Sequence, residues 1–183
     1  LMDRAPYDFV IGHHPNDLKR FEGFVHRTFN SSDLIWVITA LKEIYTTYSS
    51  LSQLFQPKQN EQNLKNGIDR FRSALLKIPH ETRSQKHVSS PAKGSASKRL
   101  IMYLRWMVRQ DKAGVDFGIW KNISPSLLSC PLDVHSGNVA RKLELLNRKQ
   151  NDWKAVEELD IQLRKLDPSD PAKYDYALFG LGV

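Results

Sequence analysis

The sequence predicts an all-α protein, and three observations carry that expectation. Apolar residues recur at three- and four-residue spacings in several segments, as Leu64, Ile68, Phe71 and Leu75 do. Helix starts and stops bracket these stripes: Asn30-Ser31-Ser32-Asp33, Ser124-Pro125, Asp152 and Asp170-Pro171 as starts, Pro79 and Gly180 as ends. No segment alternates with period two over the length of a strand.

In chain order, residues up to about Asp17 read as loop, with a turn at His13-His14-Pro15. Phe21, Phe24, Val25 and Phe29 predict a short helix with aromatic packing. After the Asn30–Asp33 start, Leu34, Ile38, Leu41, Tyr45 and Tyr48 share one helical face, and Pro57 predicts a stop near Phe55. A second helix follows Asn60 and ends at Pro79. Periodicity then vanishes from His80 to Ser97, where serines, lysines, Pro91 and Gly94 read as a long exposed loop. Lys98 to Arg109 is helical again, with Leu100, Ile101, Leu104 and Met107 or Val108 inward. Gly114 to Trp120 reads as a turn with buried aromatics. Short helix follows Ser124-Pro125. Val139, Leu143 and Leu146 form the inner face of the next helix. Val156, Leu159, Leu163 and Leu166 do so for the one that Asp152 caps. These segments group as an N-terminal helical region over 1–79, a basic loop over 80–97 and a helical region over 98–183.

Composition bounds the chemistry. The 183 residues fit one large domain or two small ones. No apolar run is long enough to span a bilayer, and the start carries no signal-peptide pattern. With Cys130 alone, neither an internal disulfide nor a four-cysteine metal or iron–sulfur site can form. The histidines show no metal-ligand spacing, and no phosphate loop, dinucleotide fingerprint or nucleophile elbow occurs. No metal, no cofactor and no membrane partner are therefore expected, and a cytoplasmic setting is. The opening Leu1-Met2 reads as the interior of an element, so an upstream part is expected. The net charge is +7, and the stretch from His80 to Lys112 carries +6 of it. Such a cluster is a footprint of phosphate binding, or a solvated basic loop.

Pro131-Leu132-Asp133-Val134-His135, followed by Val139-Ala140-Arg141-Lys142-Leu143, resembles the active-site turn and helix of the helix-hairpin-helix DNA glycosylase superfamily. Tyr174 to Gly180 is similar to a late helix of that superfamily. Lys98 to Arg109 looks like a segment of a bacterial family of conserved hypothetical proteins associated with it. The likeness covers about Lys98 to Val183 and implies a two-lobed helical fold, DNA as partner and base excision as the reaction.

Carried onto this chain, the resemblance implies that Asp133 stabilises positive charge on deoxyribose as a base departs. Asp133 could also be a helix N-cap, and the two roles are compatible. Lys98 matches the lysine that attacks the sugar in bifunctional members. Two departures stand out. The Gly-x-Gly hairpin is replaced by Lys93-Gly94-Ser95-Ala96-Ser97, and Lys98 lies 35 residues before Asp133, with extra length between Asp111 and Ser124. Lys93, Arg99, Arg105, Arg109 and His135 are candidate DNA contacts, or ordinary surface and structural residues. Trp106, Trp120 and Asp116 are candidates for a base pocket, the tryptophans otherwise serving as core and Asp116 as a turn former. Two further readings fit the same residues: a DNA-binding module without catalysis, and a helical protein-interaction scaffold.

Overall fold

The computed structural model describes Met2 and residues 4–182, which are mainly helical. They fall into two compact units, Leu1–Leu54 with Arg70–Val88, and Phe55–Asp69 with Ser89–Val183. No helix among the described residues is long and apolar enough to cross a membrane.

In the first unit, α1 (Pro6–Gly12) and a 3-10 helix (Pro15–Phe21) precede a hairpin of β1 (Val25–His26) and β2 (Phe29–Asn30). The strands are antiparallel, with His26 opposite Phe29. This hairpin stands where a short aromatic helix was expected. Arg27 takes a left-handed conformation (φ 55°) in the turn, which a helix would not allow, and Phe24 packs edge-on against Phe29. Helix α2 (Ser31–Thr47) starts where expected, with Asn30 and Asp33 capping each other reciprocally. It ends earlier than expected. Thr46 and Thr47 turn their hydroxyls back onto the carbonyls of Lys42 and Glu43, and Tyr48 is already extended. A separate short helix, α3 (Ser52–Phe55), follows.

Asp33 organises much of this unit. Its side chain is fully buried and accepts from the Asn30 N–H at 3.0 Å, Ser84 Oγ at 2.5 Å and Arg83 Nη2 at 3.1 Å, with His87 Nε2 at 3.2 Å. Burial alone would raise its pKa. The Ser84 and Asn30 hydrogen bonds and the His87 and Arg83 charges carry it below the ordinary value instead. Asp33 holds residues 83–87, and Asp69 accepts from Ser90 Oγ at 2.7 Å and Ala92 N at 3.1 Å, so residues 80–97 are not simply an exposed loop. They contain 3-10 helices at Thr82–His87 and Pro91–Lys93, and Ser84, Val88, Ser90 and Pro91 are buried.

Helix α4 (Lys65–Leu76) divides its residues between the two units. In the second unit follow α5 (Lys98–Val108), a 3-10 turn (Pro125–Leu127), α6 (Val134–Lys142), α7 (Trp153–Leu166) and, after another 3-10 turn, α8 (Asp175–Gly180). The core of this unit gathers Leu64 and Ile68 with Ile101, Leu104, Leu128, Trp153, Val156, Leu159 and Leu163, all nearly inaccessible. Such burial is worth about 1.5–3 kcal/mol per large side chain. Leu143 and Leu166, expected inward, are exposed: each sits at the frayed end of its helix, where the last turn leaves the core. Phe117 and Ile119 are exposed too, so the 114–120 turn buries only Trp120 of its aromatics. Gly67 has a packing reason: a Cβ there would stand 3.0 Å from Phe55 Cα.

Candidate functional site

Lys98 and Asp133, 35 residues apart, meet in the second unit. Lys98 Nζ donates to Asp133 Oδ2 at 2.5 Å, and both side chains keep partial exposure, 36% and 20%. Local structure fixes each partner. Ser97 holds a left-handed backbone (φ 49°) as the residue before α5, so Lys98 is the first residue of the helix. For a non-glycine residue that conformation costs about 1–2 kcal/mol. The preceding turn closes through Gly94, also left-handed (φ 87°), whose carbonyl accepts from Trp153 N at the start of α7.

Asp133 is the N-cap of α6. Its Oδ1 accepts from Ser136 N at 2.9 Å, and Ser136 Oγ in turn accepts from Asp133 N at 3.0 Å. The Asp133 carbonyl accepts from Asn151 Nδ2 at 2.8 Å. Burial works to raise the Asp133 pKa, but the Lys98 and Ser136 hydrogen bonds carry it below the ordinary value. Asp133 is thus an ionised carboxylate at a helix N-terminus, beside an ammonium. Gly137, one turn in, leaves room for Asn151 and Arg141, whose side chains would stand about 3 Å from a Cβ.

The pair has an apolar border from α8, which packs on α6. Lys98 Nζ lies 5.7 Å from the Phe179 ring centroid, within cation–π range. Val134 and Leu181 are exposed. His135 is exposed, stands 6.1 Å from Phe179 and donates through Nδ1 to the Gly182 carbonyl at 2.8 Å.

Several candidate residues lie elsewhere or do other work. Arg105 is a correction to the expected phosphate track. It is buried, its Nε donates to Asp116 at 3.1 Å, its Nη1 pairs with Asp175 and its Nη2 reaches Tyr176 at 3.3 Å. Arg109 is turned inward likewise, to Asp116 at 2.6 Å and Asp170 at 2.8 Å. Asp116 is a second correction. Its side chain is fully buried between the two arginines, so it anchors them rather than opening onto a base. Trp120 is core, stacked 5.5 Å from Phe55. Trp106 is half-buried, with an indole N–H that is buried and has no hydrogen-bond partner. Lys93 and Arg99 are exposed. Cys130 is fully buried, and burial pushes its thiol well up, which leaves it a poor nucleophile.

Sequence reasoning missed Asp175, Asp170 and Tyr176 as the far side of the arginine network. Burial pushes Asp175 up to about 6. The Arg105 and Lys98 charges oppose this, and Asp133 and Asp116 add to it. The arginine network and the Lys98–Asp133 pair are therefore electrostatic neighbours. A family model described as Protein of unknown function (DUF2400) matches residues 1–183. Neither a curated protein nor a solved structure matches the chain.

Proposed function

The chain belongs to the DUF2400 family, and we propose that this member is a cytoplasmic DNA-repair protein that excises a damaged base, with Lys98 and Asp133 as its reacting pair. One observation carries the reading: a lysine ammonium and a helix-capping carboxylate meet at 2.5 Å while both remain partly open to solvent. The mainly helical class suits the two-lobed glycosylase architecture that the Pro131–His135 turn resembles. Strain stored at Ser97, next to Lys98, is the kind of cost that functional positions retain.

The chemistry follows from the two side chains. Lys98 must first lose a proton, relayed through Asp133 Oδ2 to water so that the carboxylate stays ionised. The freed amine attacks C1′ of a flipped nucleotide, the C1′–N bond breaks, and the base leaves with the electron pair and a proton from water. In this reading Asp133 faces the positive charge developing on the sugar, and a fixed carboxylate in a partly dry site acts strongly there. Ring opening gives a Schiff base on Lys98. Loss of a C2′ proton then expels the 3′-phosphate, and water releases the lysine. Exposed Lys93 and Arg99 would hold phosphates, and flipping a base costs a few kcal/mol, least at a lesion. A DNA-binding module without catalysis is the second reading. The replacement of the Gly-x-Gly hairpin by Lys93-Gly94-Ser95-Ala96-Ser97 favours it.

The test is strand nicking of duplex DNA carrying one abasic site. Nicking that Lys98→Ala abolishes, without loss of DNA affinity, supports the catalytic reading. Salt-dependent binding without nicking leaves the module. No binding even at low salt removes DNA altogether.

A further inference from the structure

Asp160 sits in α7 among core residues, 4% exposed, on a helix whose neighbouring positions Val156, Leu159 and Leu163 are buried and apolar. One carboxylate oxygen is satisfied: Oδ1 accepts from Cys130 N at 2.9 Å. The other, Oδ2, is buried with no hydrogen-bond partner, and Arg164 Nη1, at 4.0 Å, is too far to supply one. A buried oxygen of this kind costs free energy unless something bonds to it. Asp160 also lines a cleft of about 360 Å³, together with Gln62, Asn63, Glu157, Ile161 and Arg164. That volume is at the small end of ligand sites.

The charges in the cleft define its occupant. Lys65 Nζ at 3.1 Å and the Trp153 indole N–H at 2.6 Å already engage Glu157. Arg164 balances Asp160 and is held in place by donating to the Leu128 carbonyl at 3.0 Å. Arg164 in the lining and Lys65, which pairs with Glu157 from outside it, together offset the two carboxylates, and a charged ligand gains little net attraction. Beside the Gln62 and Asn63 amides, the cleft offers an acceptor, Asp160 Oδ2, next to a donor, the Arg164 guanidinium, with an exposed aliphatic face on Ile161. We propose that this cleft binds a small neutral, planar ligand presenting an N–H donor next to a carbonyl, the lactam edge of a pyrimidine-type ring, with the N–H on Asp160 Oδ2 and the carbonyl on Arg164. Burial pushes the Asp160 carboxyl up to about 6, against the Ser129 and Cys130 hydrogen bonds, which fits an oxygen waiting for a donor. The cleft shares no residue with the Lys98–Asp133 pair, and the proposal does not depend on the base-excision reading.

The experiment is amide chemical-shift mapping on the 15N-labelled full chain, titrated with uracil, with 1,3-dimethyluracil and with guanidinium ion. Uracil should give saturable shifts at Cys130, whose N–H is bonded to Asp160, and at Ile161, with a Kd of about 1 mM or tighter. Dimethyluracil lacks the donor and should bind at least tenfold more weakly. Arg164→Met, a substitution at the cleft's partly exposed wall, should weaken uracil about tenfold while leaving the spectrum folded. Shifts confined to Val134 and Phe179 would place uracil at the other site and overturn the proposal. So would tighter binding of guanidinium, equal binding of dimethyluracil, or no saturable shift, which would leave the cleft holding water only.

Discussion

Asp116 offers the sharpest stability test. Its side chain has no solvent exposure and takes Arg105 Nε at 3.1 Å and Arg109 Nη1 at 2.6 Å. Asp116→Asn keeps the shape and removes the charge. Arg105, 5% exposed, would keep Asp175 and Tyr176, and Arg109 would keep Asp170. Two charge-assisted hydrogen bonds at about 1.5–3 kcal/mol each bound the loss from one side. Breaking a buried ion pair by removing one partner, about 3–5 kcal/mol, bounds it from the other. We expect a loss of about 3–5 kcal/mol, a large part of the 5–15 kcal/mol typical of a domain. Urea unfolding followed by tryptophan fluorescence should show a lower midpoint at unchanged slope. A cycle with Arg105→Met should show coupling of at least about 1 kcal/mol. A loss below about 1 kcal/mol, or additivity in the cycle, would show that Asp116 does not anchor the two arginines. Unchanged stability with lost base release would return Asp116 to a base pocket.

Other predictions follow from the same geometry. Asp160→Asn should flatten the pH dependence of stability. The folded-state pKa of about 6 lies above the ordinary 3.8, so wild-type stability falls as pH rises from about 4 through 6, by up to about 3 kcal/mol. Stability of the two proteins measured across that window would show this, and parallel curves would exclude it. Gly67→Ala places a Cβ 3.0 Å from Phe55 Cα, and thermal melting should show a loss of about 1–3 kcal/mol. If DNA is the partner, Lys93→Ala and Arg99→Ala should each reduce the salt slope of binding by about 1. An unchanged slope would remove them from the interface.

Local patterns were legible where local physics decides them. Asp152 caps α7 and Asn30 caps α2 because an oxygen three residues before a free N–H needs no distant partner. Asp133 is a cap for the same reason, whatever else it does. The resemblance, not the spacing, pointed to Lys98 and Asp133 as partners, since 35 residues of separation say nothing about contact. Arg105 and Arg109 share Asp116, which reads locally as a turn former, and their other carboxylates, Asp175 and Asp170, lie some 60–70 residues on. A one-turn spacing of arginines looks the same on a surface and in a core. Asp160 did leave a signal. It stands four residues after Val156 and three before Leu163, an acid on the edge of an apolar stripe. The loop over 80–97 was hidden for a different reason. Asp33, which holds Arg83, Ser84 and His87, also forms a helix start, and that local role masks its distant partners.

The base-excision proposal rests on Lys98 acting as a nucleophile on deoxyribose. Borohydride reduction in the presence of abasic-site DNA, followed by peptide mapping, tests it directly. A covalent adduct should form on the peptide containing Lys98, lost in Lys98→Ala and weakened in Asp133→Asn. No adduct, or an adduct on another lysine that persists in Lys98→Ala, would contradict it.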